Sequence, residues 1–290
     1  MMVENGRPGT SVETQLAAYE HGALHARYDR LATEEPLEIR MRAGVEQQTV
    51  AITMRTPGND FELAAGFLFG EGVIRDLSEL RGITFCVDRE VAEEQRYNIV
   101  NVDLVADALP VLDALDRHFL TTSSCGVCGK ANIESLHARG VGRVPPGFVV
   151  EASLLAALPE RLRKAQRVFA ATGGLHAAAL FDARGALVAV REDVGRHNAL
   201  DKLIGWAFMH KKLPLDQHVV MVSGRASYEL VQKVIAAGIP VLSAVSAPSS
   251  LAVDLAREFG VTLIGFSREE RFNVYAGAER IHIDAAGTTP

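Results

Sequence analysis

Two cysteines three positions apart, Cys125 and Cys128, stand in the run Thr121-Thr122-Ser123-Ser124-Cys125-Gly126-Val127-Cys128-Gly129-Lys130. A thiolate attacks sulfur well, with a reactivity set by its pKa and its access. Flanking glycines expose both sulfurs, and the Lys130 ammonium favours the thiolate. Three chemistries fit such a pair. A zinc half-site is one, but structural zinc is four-coordinate. Cys86 has no paired neighbour, no His-x-x-x-His stands nearby, and Cys86, His118 or His137 would have to complete the set. A thioredoxin-like redox couple is another, yet that motif belongs near the start of a βαβ unit and this one lies in mid-chain. The third is a persulfide carrier. The run has almost no apolar surface to bury and is expected to be a mobile loop, which suits meeting first a donor protein and then a buried acceptor. Residue chemistry alone leaves redox and sulfur transfer level.

A second chemical segment is Val190-Arg191-Glu192-Asp193-Val194-Gly195-Arg196-His197-Asn198, in which seven of nine residues are polar, charged or glycine. An ordinary helix start would explain it, with Asp193 or Asn198 as cap. Its place after an expected strand is where open α/β sheets put ligand groups, and a site is the reading favoured here. His197 is either an acid/base group or a hydrogen-bonding support.

Three further strand ends carry similar groups. Thr172-Gly173-Gly174 bares backbone N–H groups. Ser223-Gly224-Arg225-Ala226-Ser227 precedes a helix and offers an anion site at its start. Ser246-Ala247-Pro248-Ser249-Ser250 precedes another. Each is weak alone, because glycine and serine often only turn a chain. Together they place anion-binding groups on one edge of one sheet. After the last expected strand, Phe266-Ser267-Arg268-Glu269-Glu270-Arg271-Phe272 offers Arg268 and Arg271 for a diphosphate and Phe266 or Phe272 for stacking on a base. A solvated charge run with core aromatics explains that segment equally well.

These groups need elements to hold them. The pattern predicts two strands within Glu38–Met54 joined near Ala43-Gly44, and a turn over Thr56–Asp60 with Asp60 as helix cap. A helix follows, bearing Leu63, Ala64, Phe67 and Leu68, then strands at Ile83–Val87 and Tyr97–Val105. A short helix is expected over Ala131–Ala138. Beyond a hinge at Val144-Pro145-Pro146-Gly147, strands are expected at Arg167–Ala171, His176–Phe181 and Ala186–Arg191, the last two a hairpin. A helix over Asn198–His210 buries Ala199, Leu200, Leu203, Ile204, Ala207 and Phe208. Strands at His218–Val222, Pro240–Val245 and Val261–Phe266 then alternate with helices at Ala226–Ala237 and Leu251–Phe259. The fold class is α/β, a mixed and mostly parallel sheet covered by helices, with a smaller N-terminal α/β domain. The expected organisation is a disordered tail at 1–20, an N-terminal domain at 21–120, a Cys-x-x-Cys loop and hinge at 121–147, and a second domain at 148–290.

Composition narrows the function. The chain has 290 residues, a net charge of −6, 48% hydrophobic residues and 23% charged ones. That charge argues against a nucleic-acid-binding face. No secretory h-region and no run long enough to cross a membrane is present. Three cysteines are too few, and odd in number, for a disulfide scaffold, so a cytoplasmic protein is expected. A homodimer is the common default. There is no P-loop, no Gly-x-Gly-x-x-Gly after a strand and no Gly-x-Ser-x-Gly elbow.

The cysteine run resembles the signature loop of the FdhD family, the sulfur-carrier accessory proteins of formate dehydrogenases. So do Arg55-Thr56-Pro57-Gly58-Asn59-Asp60-Phe61-Glu62-Leu63-Ala64, Thr172-Gly173-Gly174-Leu175-His176-Ala177-Ala178 and Arg191–Ala199. Ser223-Gly224-Arg225, Ser246–Ser250 and Arg271-Phe272-Asn273-Val274-Tyr275 continue the match in the family's order, from about residue 30 to residue 280.

The resemblance implies a sulfurtransferase that accepts sulfur from a cysteine desulfurase as a persulfide on Cys125, with Cys128 assisting. The acceptor it implies is the molybdenum or tungsten of bis(molybdopterin guanine dinucleotide), destined for formate dehydrogenase. It places the cofactor on Phe266, Ser267, Arg268, Glu269, Glu270 and Arg271, where the two glutamates are less welcoming to phosphate. Thr172, Gly173, Gly174, Arg196, Ser223, Gly224 and Arg225 are the accompanying candidates. The resemblance also implies a cytidine-deaminase-like second half. Deaminase chemistry itself needs Pro-Cys-x-x-Cys zinc ligands, and no cysteine follows Cys128. A non-catalytic cofactor chaperone and a thiol–disulfide oxidoreductase remain the rival functions.

Overall fold

The computed structural model describes residues 8–88, 90–110 and 142–283. Cys125, Cys128, Lys130, His118, His137 and the expected helix over Ala131–Ala138 lie outside them.

The chain opens with β1 (Ser11–Glu20) and β2 (Ala23–Ala32), an antiparallel ribbon closed at His21-Gly22. Both turn residues have positive φ, 52° and 89°, as a tight hairpin turn needs. The expectation of a frayed tail to residue 20 is therefore corrected for residues 11–20. A ribbon with solvent on both faces has no apolar alternation to betray it.

β3 (Glu35–Ala43) and β4 (Glu46–Arg55) form the expected hairpin. β3 buries Leu37, Ile39, Met41 and Ala43, the period of two that one-sided burial imposes. α1 (Asp60–Gly70), β5 (Leu80–Phe85), the single turn α2 (Glu93–Arg96) and β6 (Ile99–Leu104) complete this part. Its sheet has the order β4-β3-β6-β5, with β3 and β6 parallel. Leu63, Ala64 and Leu68 of α1 pack onto Leu37, Ile39, Met41, Val100 and Val102.

Asp60 is not the cap of α1. Asn59 holds that place at φ 58° without a capping bond. The Asp60 carboxylate instead accepts from the fully buried Arg55 guanidinium at 2.9 Å, which also donates to Tyr97 O and Asn98 Oδ1. A buried cation must be paired, and here the pairing fastens α1 to its sheet.

The second half runs β7 (Val150–Glu151), α3 (Ala152–Ala165), α4 (Arg167–Thr172), β8 (His176–Asp182), β9 (Leu187–Asp193), α5 (Arg196–Met209), β10 (His218–Val222), α6 (Tyr228–Ala236), β11 (Val241–Ala244), α7 (Ser250–Phe259), β12 (Thr262–Arg268), β13 (Arg271–Ala276) and β14 (Ile281–His282). Six strands form one sheet in the order β13-β12-β11-β10-β8-β9. β10, β11 and β12 are parallel; β8, β9 and β13 join as antiparallel flanks. The protein is thus a mixed α/β fold. Val220, Val222, Leu242 and Leu263 face the α5–α7 layer, while Val219, Met221, Val241 and Ile264 face Leu155, Leu158 and Leu162 of α3.

Residues Arg167–Ala171 are helical rather than a strand. Four apolar residues in a row carry no period that separates the two. The Glu192 carboxylate decides it by accepting the Val168 and Phe169 N–H groups at 3.0 and 2.8 Å, and Gly173 in the left-handed region ends the turn. The Val144–Gly147 segment is held in place: Val144 N–H donates to Phe259 O, and Arg280 donates to Pro145 O and Gly260 O.

Candidate functional site

Three parallel strands ending side by side leave their following loops on one edge, the usual ligand position in such sheets. Because β8 runs antiparallel to β10, its first residue joins them. Ser223 N–H donates to Ala177 O at 2.9 Å, and Ser223 Oγ accepts from Ala177 N–H at 2.9 Å. Gly224 O accepts from Ser246 N–H, and Ser246 O from Phe266 N–H, at 3.3 and 3.2 Å. The sequence-predicted turns at Ser223, Ser246 and Phe266 are therefore stitched together in series.

His176 lies against this edge and was not among the candidates. A β-carbon at Gly224 would lie 3.4 Å from its Nδ1 and 3.7 Å from Arg196 Cδ, so the imidazole and the Arg196 side-chain stem both border the Gly224 backbone. A titratable residue entering a strand just after Gly173-Gly174 was the available signal. Burial and the Arg196 charge lower the His176 pKa, with Asp193 opposing. Arg196 opens α5, has an enclosed Nε with no protein partner, and begins a helix with no acidic residue in its first turn. His197 Nε2 lies 3.2 Å from Ser227 Oγ. Its pKa is pushed down to about 4, first by burial and then by Arg196, against Glu229. Both imidazoles are therefore neutral at neutral pH beside a permanent cation.

Other predicted residues separate into distinct parts. Thr172 Oγ1 donates to Val168 O, and Gly173 and Gly174 lead into β8, Gly174 beside Ala32. Arg225 is exposed. Glu269 and Glu270, at φ 51° and 62°, form the two-residue turn between β12 and β13. Arg268 and Arg271 flank it as cross-strand partners, and Arg271 lies 3.7 Å from Glu269. That tip is exposed and carries equal numbers of each charge. Ser267 is fully buried, its Oγ without a protein partner. Phe272 packs against the core, whereas Phe266 is 38% exposed.

Phe266 sits at φ 52°, a conformation that strains a bulky residue by about 1–3 kcal/mol. Around it the backbone is close-packed: Gly265 has no room for a β-carbon against Pro248 and Tyr275, and Phe266 N–H donates to Ser246 O. Phe266→Gly is expected to raise stability by up to about 1 kcal/mol while weakening any ligand that stacks on the ring. Urea denaturation beside a nucleotide titration checks both. Loss of stability in Phe266→Gly would mean that the ring is packing rather than displayed.

Asp193 and its neighbours serve another purpose. Asp193 is fully buried and pairs with Lys202 Nζ at 2.7 Å, while Lys202 also donates to Thr56 O. Arg191 grips Glu62 on α1 with a bond of 2.7 Å, and Asn198 donates to Met54 O. Much of the charged Arg191–Asn198 run thus joins the two halves. Cys86 is buried at the end of β5, its N–H bound to Ile99 O. A separate concavity of about 320 Å³ is walled by Pro57, Phe61, Phe85, Tyr97 and Met209, and shares no residue with the edge. Among the described residues no helix is long and apolar enough to cross a membrane.

A mixed α/β sheet with its loops, one free guanidinium nitrogen and two neutral imidazoles gathered at the strand ends defines the class. The particular family follows from comparison: residues 32–282 match the FdhD/NarQ family model, and the chain belongs to that family. The sulfur carrier protein FdhD of Streptomyces avermitilis is 54% identical over 267 residues, covering 91% of this chain and 93% of that protein. Its counterpart in Sulfurisphaera tokodaii is 45% identical over 253 residues, covering 87% and 92%. A crystal structure assigned as a formate dehydrogenase accessory protein of Desulfotalea psychrophila superposes with a TM-score of 0.72 at 25% identity, covering 94% of this chain and all of that one.

Proposed function

We propose that this chain is a cytoplasmic sulfur carrier for formate dehydrogenase, taking sulfur from a cysteine desulfurase and passing it to the metal of bis(molybdopterin guanine dinucleotide). Relatives named sulfur carrier proteins, identical at about half of all positions, support the carriage. The observation that carries the cofactor reading is the convergence of Ser223, Gly224, Arg196 and Phe266 on one sheet edge.

The chemistry starts with the Cys125 thiolate attacking the outer sulfur of the donor persulfide. A new S–S bond forms, and the donor's cysteine thiolate leaves with the electrons of the broken bond. Cys125 then holds sulfur at the zero oxidation level. Attack of the Cys128 thiolate on Cys125 Sγ would form a disulfide and expel the outer sulfur as sulfide, the level a metal–sulfido ligand needs. A dithiol reductant must then reopen the disulfide. The cofactor is substrate here, and the edge holds its nucleotide end by backbone N–H groups, Arg196 and stacking on Phe266. A homodimer, with one such edge per chain, is part of the reading.

The test is activation. Cys125→Ala, co-expressed with a formate dehydrogenase, is expected to leave no more activity than omission of the carrier. Full activation by Cys125→Ala would remove the persulfide and favour a cofactor chaperone.

A further inference from the structure

We propose that His176 and Arg196 together receive the terminal phosphate of the bound nucleotide, whose base lies at the other end of the edge on Phe266. This rests on the nucleotide-binding reading above and adds a polarity to it. In strand order β12 and β8 are three places apart, about 14 Å at the usual strand spacing. That is the length scale of an extended nucleoside diphosphate. Phe266 at the β12 end presents an exposed ring. The β8 end presents the enclosed, unpartnered Nε of Arg196, and the Arg196 stem and the His176 imidazole both border Gly224. The tip bearing Arg268 and Arg271 is a poorer phosphate site, because Glu269 and Glu270 stand between the arginines.

The cluster also has a proton balance. The groups facing the His176 ring are Arg196 and His197 on α5, Asp193 at the end of β9 and the Gly224 backbone. Asp193 is already paired with Lys202. In the free protein burial, and after it the Arg196 charge, hold the His176 pKa down. A phosphate dianion placed between the two removes that repulsion and gives a protonated His176 an acceptor. Binding takes up a proton, and by linkage the protonated site binds phosphate more tightly by the same factor. The sign follows: affinity rises as pH falls through the His176 pKa of the complex.

The experiment is isothermal calorimetry of GDP with the full chain at pH 7.0 and 8.5, in two buffers of different ionisation enthalpy. This range lies above the second ionisation of a phosphate, near pH ~6. Binding about threefold or more tighter at pH 7.0, with net proton uptake, is expected for the wild type. His176→Asn should abolish both the pH dependence and the uptake. Arg196→Gln should weaken GDP about tenfold or more, as loss of a charge-assisted bond does. GDP binding with no proton uptake in the wild type, or uptake unchanged in His176→Asn, overturns this assignment and leaves the nucleotide site standing. No binding of GDP at any pH overturns the nucleotide reading itself. Absence of uptake in the wild-type buffer comparison overturns the assignment even if a variant fails to fold.

Discussion

Gly66→Ala is expected to destabilise the protein by about 3 kcal/mol, and Gly205→Ala by a similar amount. α1 and α5 cross with these two glycines against each other. A β-carbon at 66 would overlap the Asp201 carbonyl, and one at 205 the Glu62 carbonyl. Alanine favours a helix by about 1 kcal/mol over glycine, so the clash must exceed that gain to show at all. The obstacles are helix backbones, which cannot swing aside as a side chain can. Urea denaturation checks the values. Either variant matching wild type within about 0.5 kcal/mol would mean that the helices lie further apart than described. The double variant should lose less than the sum, since one separation of the helices relieves both overlaps.

Lys202→Met is the second large effect, with an expected loss of about 3–5 kcal/mol. The pair is closed from solvent, Lys202 at 1% and Asp193 at 0% side-chain exposure. Removing the ammonium leaves a buried carboxylate with no cation and Thr56 O with no donor. Asp193→Asn combined with Lys202→Met should recover at least about 1 kcal/mol, because the uncompensated charge is gone. An equal loss in single and double variants would show that shape, not charge, is what Lys202 supplies. Asp193 also accepts from Gly195 N–H and Asn198 Nδ2, setting the start of α5 where Arg196 and His197 stand. The same variants should therefore weaken GDP more than their distance from the edge suggests.

The second half was legible because its strands are short apolar runs and its helices carry an apolar stripe. His218–Val222 has the expected limits, and all six residues expected on the buried face of α5 are buried. What failed was local and weakly patterned. Ser11–Glu20 hid a strand because neither face of a free ribbon must be apolar. Arg167–Ala171 became helix because Glu192, more than 20 residues later, caps it. Asp60 had the right residue type for a cap but was claimed by Arg55.

The meeting of the strand ends on one sheet edge was legible. The division of labour along that edge was not. The run holding Arg191, Asp193 and Asn198 reads as a site because charge in a loop after a strand often marks one. Their partners Glu62, Thr56 and Met54 lie more than 120 residues away, beyond any spacing rule. A lysine within the apolar stripe of α5 was the one clue that a buried partner waited for it. His176 was overlooked for the opposite reason, being a single polar residue opening an otherwise apolar strand.

The central claim, that Cys125 carries sulfur, is tested most directly by intact-protein mass spectrometry after incubation with an active cysteine desulfurase and cysteine, followed by peptide mapping. One or more added sulfur atoms on the Cys125 peptide, removed by reductant and missing in Cys125→Ala, is the predicted result. An unmodified Cys125 thiol with the desulfurase turning over would contradict it.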